Sequence, residues 1–312
     1  MKKIYTVFAV CCCMLSAHAS EDLTIWHDRP AQDDWLRAFP IGNGSLGGMV
    51  YGNLERDEIQ LNLDTLYALE PDTACFIPKI KASDLAQVQA WLAAGQYEKA
   101  ADFIGKHWVG RSNAPYVTLG SLQIDCHENA DGMSHYRKSL DLSTAIVVTE
   151  YELGGVNYRR EVFSSYPDKA IVMRFTADQP GQISATLRLT TPHTPTTTVA
   201  ADNNTLLMRG KGPGEAFRRK LENRVKAEGH KYPVFFEKNT NGTYRIKDSI
   251  LAKQKQGGEN AGNILYGDEV EGRGMPFATL LRAEADGGTV HAAGDALRVE
   301  NADSLTLVLC AD

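Results

Sequence analysis

The sequence predicts a mainly β protein, a large two-sheet antiparallel β-sandwich (a supersandwich) with a short helical insertion. Three observations lead there. Apolar–polar alternation recurs along the chain, turn-forming Gly, Asn and Asp residues separate the alternating stretches, and few segments carry helical periodicity.

Period-two alternation marks strands at 121–125, 145–151, 158–163, 183–189 and 304–309. Residues 170–175 form a more continuous apolar run, as expected of a strand covered on both faces. Gly154-Gly155 lies between Tyr151 and Tyr158 and closes a hairpin, and Asp202-Asn203-Asn204 and Asp286-Gly287-Gly288 are further turns. Strands joined by such short turns favour two packed antiparallel sheets over a parallel sheet with crossover helices.

Two stretches depart from that pattern. Ser83 or Asp84 is placed to cap a helix that carries Leu85, Val88, Leu92 and later Phe103 on one face, with Gly95 between two turns. Residues 214–258 hold eleven Lys and Arg against five acidic residues, with a surface helix expected over 216–230. Such a basic run suits a polyanionic ligand or a membrane surface. A solvated insertion between two strands is the stronger reading, since charge runs usually face water. Residues 190–199, with Pro192 and Pro195 among six threonines, read as an irregular edge or loop.

The amino terminus indicates export. Lys2 and Lys3 precede an apolar run over 4–16, and Ala17-His18-Ala19 offers small residues at the two positions a signal peptidase reads. A signal peptide is therefore expected at 1–19, cleaved between Ala19 and Ser20, leaving a domain over 20–312 in the periplasm or outside the cell. The run is too short for a membrane span, which takes roughly 20 apolar residues.

The 312-residue chain carries a net charge of −6, and removal of Lys2 and Lys3 makes the balance more acidic still. That charge opposes nucleic-acid binding. Cys75, Cys126 and Cys310 lie far apart and form neither a disulfide framework nor a zinc site. Nothing selects one pair of them for a bridge. His27, His107, His127 and His135 show no metal-ligand spacing, and no metal or cofactor is expected.

The densest cluster of unusual residues is PIGNGSLGGMVYG at 40–52, with five glycines in thirteen positions. Glycine at that frequency implies positive φ or close approach to the backbone. A phosphate loop is excluded, because no Lys-Ser or Lys-Thr follows and no helical pattern begins there. In the next segment alternation sets Ile59, Leu61 and Leu63 on one face and Gln60, Asn62 and Asp64 on the other. Amides and carboxylates in a row serve a sugar hydroxyl network or a structural hydrogen-bond ladder.

Trp26, Pro30-Ala31, Trp35 and Ala38, then PIGNGSLGGMVYG (40–52) and IQLNLDTLY (59–67), resemble the amino-terminal signature of glycoside hydrolase family 95. This is the α-L-fucosidase family, which also includes α-L-galactosidases. AWLAAGQYEKAADF (90–103), LGSLQI (119–124), YRKSLDL (136–142), NYRREVFSSYPDKAIVMRF (157–175) and DALRVENADSLTLVL (295–309) agree with that domain in order. Ser45, Leu63 and Tyr67 depart from it, standing where the family usually has Arg, Glu and Trp.

The resemblance implies a β-sandwich that precedes an (α/α)6 catalytic barrel, with an oligosaccharide as substrate. Such enzymes invert the anomeric centre with an acid and a water-activating carboxylate about 6.5–9.5 Å apart. Those groups belong to the barrel, and the chain ends after what reads as the last sandwich strand, so the barrel is expected to be absent here. No catalytic residue is assigned: Glu58, Asp64 and Glu161 are not carried over as acid or base, and Asp168 reads as a turn residue. Asn43, Asn62 and Asp64 are the candidates for the domain interface or pocket rim. A stand-alone carbohydrate-binding or scaffold module is the competing reading.

Overall fold

The computed structural model describes residues 23–69, 81–109, 114–126, 129–258 and 261–312. The expected signal peptide, Cys75 and His127 lie outside the described residues.

Two large sheets form the body, and every strand pairing in them is antiparallel. The nine-stranded sheet runs in the order Thr24–His27, Ser134–Asp141, Ile146–Leu153, Val156–Ser165, Ala170–Ala177, Ser304–Ala311, Pro276–Asp286, Thr205–Lys211, Thr196–Asp202. The seven-stranded sheet runs Thr289–Ala293, Ala296–Ala302, Ile183–Thr190, Gly120–Asp125, Arg56–Leu63, Leu46–Val50, Phe39–Gly42.

Alternation dictates the core. In Arg56–Leu63 the residues Ile59, Leu61 and Leu63 point inward and are buried, while Glu58, Gln60 and Asn62 remain half-buried on the outer face. The facing sheet supplies Ile171, Met173, Leu305, Leu307 and Leu309 to the same cluster. Burying each such side chain contributes about 1.5–3 kcal/mol, so the inter-sheet layer dominates the stability of the body.

The apolar run at 170–175 is covered on one face only. Ile171 and Met173 are buried, but Val172 is half-exposed and Arg174 exposed on the other side. Hairpins close where the turn residues predict, with Gly154, Gly155, Gly287 and Gly288 all at positive φ. The irregular 190–199 region ends in an edge strand, Thr196–Asp202.

Helices α1 (Ala82–Ala93) and α2 (Tyr97–His107) flank Gly95, whose φ is +71°. Lys81 occupies the amino-terminal cap, and Asp84 reaches back to accept from its N–H at 3.2 Å rather than capping the helix itself. Of the expected apolar face only Val88 is buried, and Leu85 and Leu92 stay exposed.

Residues between the strands Thr205–Lys211 and Pro276–Asp286 form a lobe with its own core of Phe217, Leu221, Phe235, Phe236, Ile246 and Ile250. The single helix expected over 216–230 is instead broken into Leu221–Asn223, Val225–Glu228 and Gly229–Lys231. Tyr244 lies within 2.4 Å of where a Gly229 Cβ would stand, so this lobe packs its ring against bare backbone and the helix turns aside.

A polar plug joins the sheets. Arg160, from the nine-stranded sheet, pairs with Asp57 at 3.0 Å with both side chains about 95% buried. Arg160 also donates to Asn53 O (2.6 Å) and Tyr151 Oη (2.8 Å). Asp57 Oδ1 accepts from the N–H groups of Asn53 and Glu58. Burial pushes the Asp57 carboxyl pKa up, and Arg160 with those two N–H groups pulls it back.

Removing one partner leaves the other charge buried and unpaired. Asp57→Ala is expected to cost about 3–5 kcal/mol in denaturant unfolding, and Asp57→Ala with Arg160→Met to recover a large part of that loss. Equal losses in the single and double variants would rule out the charge pair as the cause.

Candidate functional site

The glycine-rich segment is the hairpin Phe39–Gly42/Leu46–Val50 and its approach to the next strand. Gly44 and Gly52 have positive φ, and a Cβ on Gly48 would meet Ile59 Cγ2 at 2.9 Å. Gly52 has the strictest requirement, since a Cβ there would stand 2.7 Å from Lys138 Cδ.

Asn43 builds the turn. Its Oδ1 accepts from the N–H groups of Ser45 (3.0 Å) and Leu46 (2.8 Å), and its Nδ2 donates to Ser165 O (2.9 Å) on the other sheet. Its amide is therefore committed to backbone. Asp64 follows the strand Arg56–Leu63. Its N–H donates to Ser45 O (2.9 Å), and its Oδ1 accepts from Ser45 Oγ (3.1 Å). Asn62 sits opposite Gly47 in register, half-exposed on the outer face. The three predicted residues thus gather at one end of the seven-stranded sheet, with Asn43 buried and Asp64 exposed.

The same end carries an aromatic pair. Tyr67 and Tyr116 form an isolated β-bridge, their rings meet edge to face at 5.4 Å, and both are exposed. Burial raises the Tyr116 pKa, and the charges of Asp64 and Tyr67 add to the rise. The two exposed rings offer apolar faces for C–H groups, and exposed Asp64, three residues before Tyr67, offers an acceptor for hydroxyls.

Behind this rim stands His193, which sequence reading passed over inside a Thr-Pro stretch. Its Nε2 donates to Thr118 O (2.7 Å), so its Nδ1 accepts from Tyr266 Oη (3.0 Å). The buried imidazole ties the lobe to the sandwich, and burial lowers its pKa. No pattern of spacing marks such a residue, because its partners lie about 75 residues away on either side.

The other singled-out groups have structural partners. Glu58 accepts from Ser121 Oγ at 2.6 Å, and Glu161 pairs with Arg159 at 2.9 Å. Asp168 lies in the turn before Ala170–Ala177. His27 stacks on Phe39, His107 packs against Phe103, and His135 Nδ1 lies 3.0 Å from Glu152. Among the described residues, no group of three or more His, Cys, Asp or Glu is placed to hold a metal ion. Cys126 and Cys310 are free thiols. No helix among the described residues is long and apolar enough to cross a membrane.

The antiparallel β-sandwich is that of a glycoside hydrolase amino-terminal domain. The chain belongs to the family described as glycosyl hydrolase family 65, N-terminal domain, whose model matches residues 25–312. It is 28% identical over 285 residues to alpha-L-fucosidase 2 of Arabidopsis thaliana, covering 89% of this chain and 29% of that protein. It is 29% identical over 173 residues to "Probable alpha-fucosidase A" of Aspergillus niger, covering 53% of this chain and 21% of that protein. The corresponding Aspergillus oryzae protein is 25% identical over 154 residues, 48% of this chain and 21% of its own. The chain spans less than a third of the length of these relatives.

Two outcomes test the local roles. Asn43→Ala removes three hydrogen bonds from the turn and is expected to lower unfolding stability by about 1–3 kcal/mol, read in urea. His193 is kept below its free value of about 6.5, so the folded state binds fewer protons than the unfolded one. Its contribution to stability is full above that pH and declines as pH falls from there towards the lower folded pKa. Unfolding midpoints measured from pH 8 to pH 5 should therefore fall less steeply in His193→Gln than in the parent.

Proposed function

We propose that the chain is the amino-terminal platform of an exported, inverting exo-glycosidase of family 95 type. The enzyme would remove terminal α-L-fucose, or α-L-galactose, from glycans. The observation that carries this is the match along 285 residues to an alpha-L-fucosidase more than three times as long as the matched region. The quoted segments from PIGNGSLGGMVYG to DALRVENADSLTLVL support it, as do the basic and apolar residues at 2–16 that resemble a signal peptide.

In this reading the acid and the water-activating groups belong to a downstream (α/α)6 domain. The sandwich sets that domain's orientation, and Asn62 and Asp64, with Tyr67 and Tyr116, lie at the rim of its pocket. Asn43 holds the turn on which the rim is built.

The test compares this chain with the product of the gene read beyond codon 312, using nitrophenyl α-L-fucoside and α-L-galactoside. Turnover is expected from the longer product and none from residues 20–312. In the longer product Asp64→Ala should raise KM about threefold or more while the melting midpoint stays unchanged. Release of nitrophenol by residues 20–312, with contaminating enzyme excluded, would refute the division of labour. A stop directly after codon 312 would favour a stand-alone carbohydrate-binding module.

A further inference from the structure

Four strands end the two large sheets, and they differ in how well they are guarded against pairing with another chain. A sheet edge presents unpaired N–H and C=O groups, which proteins blunt by short length, Pro, charge or cover. Thr24–His27 has four residues, and Phe39–Gly42 has four with Pro40 among them. The opposite side of the sandwich is less guarded. There Thr196–Asp202 ends the nine-stranded sheet and packs over Thr289–Ala293, the edge of the seven-stranded one. Neither Thr196–Ala200 nor Thr289–Ala293 contains Pro, Lys, Arg, Asp or Glu.

Hydrogen bonds decide which groups of Thr196–Asp202 point outward. Ala278 and Asp312 exchange N–H···O bonds, and Ala283 N donates to Asn204 O. In an antiparallel ladder such bonded pairs alternate with unbonded ones. The even residues of Pro276–Asp286 therefore bond to Ser304–Ala311 and the odd ones to Thr205–Lys211. By the same alternation Thr205, Leu207 and Arg209 bond to the edge strand, where Val199 and Thr197 stand opposite Leu207 and Arg209. Thr196, Thr198 and Ala200 are left with N–H and C=O directed away from the sheet. None of these six groups bonds to a described residue. The register shift between Ala200 and Asp202 lies at the far end and leaves Thr196–Ala200 regular.

We infer that this edge pairs with the same edge of a second copy of the chain, giving a two-fold dimer with one continuous antiparallel sheet. Centring the pair on Thr198 sets Thr198 opposite its own copy and Thr196 opposite Ala200, which satisfies all six outward groups at once. On the outer face Val199, 48% exposed, meets Thr197 of the second copy, a pair of β-branched side chains. Val199 also ends an apolar row through Leu207, Leu280 and Cys310, which the pairing extends. The same axis brings Thr289–Ala293 against its own copy in the other layer. A two-fold contact consumes the edge in both molecules and closes, so no fibre grows from it. A seven-residue edge at about 3.4 Å per residue, across two layers about 10 Å apart, gives roughly 500 Å² per copy, the low end for a specific contact. The dimer therefore depends on concentration. No sugar enters this inference, so failure of the glycosidase reading leaves it standing.

Sedimentation velocity on residues 20–312, loaded from about 1 to about 200 μM, tests it. A monomer–dimer equilibrium is expected with a Kd on the order of 10–100 μM. Thr198→Pro removes an outward N–H and no bond of the native ladder, and should weaken association at least about tenfold. Ala200→Pro takes its place if Thr198→Pro lowers the melting midpoint. Leu280→Lys puts a charge on the outer face two strands in from the edge and should leave Kd within about twofold. As concentration rises, amide exchange should slow over 196–200 and stay constant over Thr24–His27. A chain that stays monomeric at about 200 μM overturns the inference, as does exchange over 196–200 that ignores concentration. So does loss of the dimer in Leu280→Lys with none in the proline variants, which would mean association through the sheet face.

Discussion

Two cations held away from water, Arg160 and Lys138, fix how the sheets meet. Removing a charge from water is costly unless hydrogen bonds replace the lost hydration. Arg160 obtains a carboxylate from Asp57 and carbonyls from Asn53 and Leu54. Lys138, buried and pushed down to about 8 by desolvation, donates to the carbonyls of Arg37 and Tyr51. Nearly all these partners lie within 37–57, the chain segment that contains the glycine-rich hairpin. Satisfying two cations on one sheet therefore fixes the hairpin of the other. Gly52 is the cost of that arrangement: Tyr136 Oη donates to its carbonyl, and the Lys138 stem occupies the space of any side chain.

The rim follows from this anchoring. Once the hairpin is fixed at 51–57, Asn43 Nδ2 adds a second tie to Ser165 O at the far end. The turn is then rigid enough to hold Ser45 against Asp64. Polar residues that look alike in sequence divide by which atoms remain available. Asn43 uses its amide on backbone. Asp64 uses one oxygen on Ser45 and faces solvent, and Tyr67 and Tyr116 expose their rings beside it. Only the second group has surface left to offer a ligand.

Much of the fold was legible because burial on one face writes itself as period-two alternation. Two strands internal to their sheets, Ile183–Thr190 and Ser304–Ala311, appear within a few residues of where that pattern puts them. Strands whose sequence alternates less cleanly are not marked by it, such as Thr205–Lys211, where Thr205 and Leu206 are both buried, and Pro276–Asp286, where Ala278 and Leu280 put apolar residues on the outer face. The gathering of Asn43, Asn62 and Asp64 was legible because one hairpin and its neighbour bring them together over a short stretch of chain. Tyr116, His193 and Tyr266 were not, since their contacts depend on which distant strands pair. The helix expected over 216–230 fails for a similar reason: its composition permits a helix, but Phe217, Leu221, Tyr232 and Phe235 must turn into one small core. Tertiary burial overrode local preference.

The position of the lobe explains how a substantial insertion leaves the sandwich undisturbed. Lys211 and Pro276 are partners in the same antiparallel ladder, so the chain leaves and returns at one hairpin end. Gly212 N donates to Met275 O at 2.9 Å, and Gly214 and Gly274 let the two backbones of the neck touch, where a Cβ would meet carbonyl oxygen at 2.4 Å or less. The neck lies against the rim: Leu69 N donates to Pro213 O, and His193 holds Tyr266. Lys231 reaches α2 on another side. One inserted body thus borders the tyrosine pair through its neck and reaches α2 with its helical turns. A lobe attached at a single hairpin end moves as a unit unless it is tied elsewhere. The buried imidazole and the Lys231 contact supply those ties.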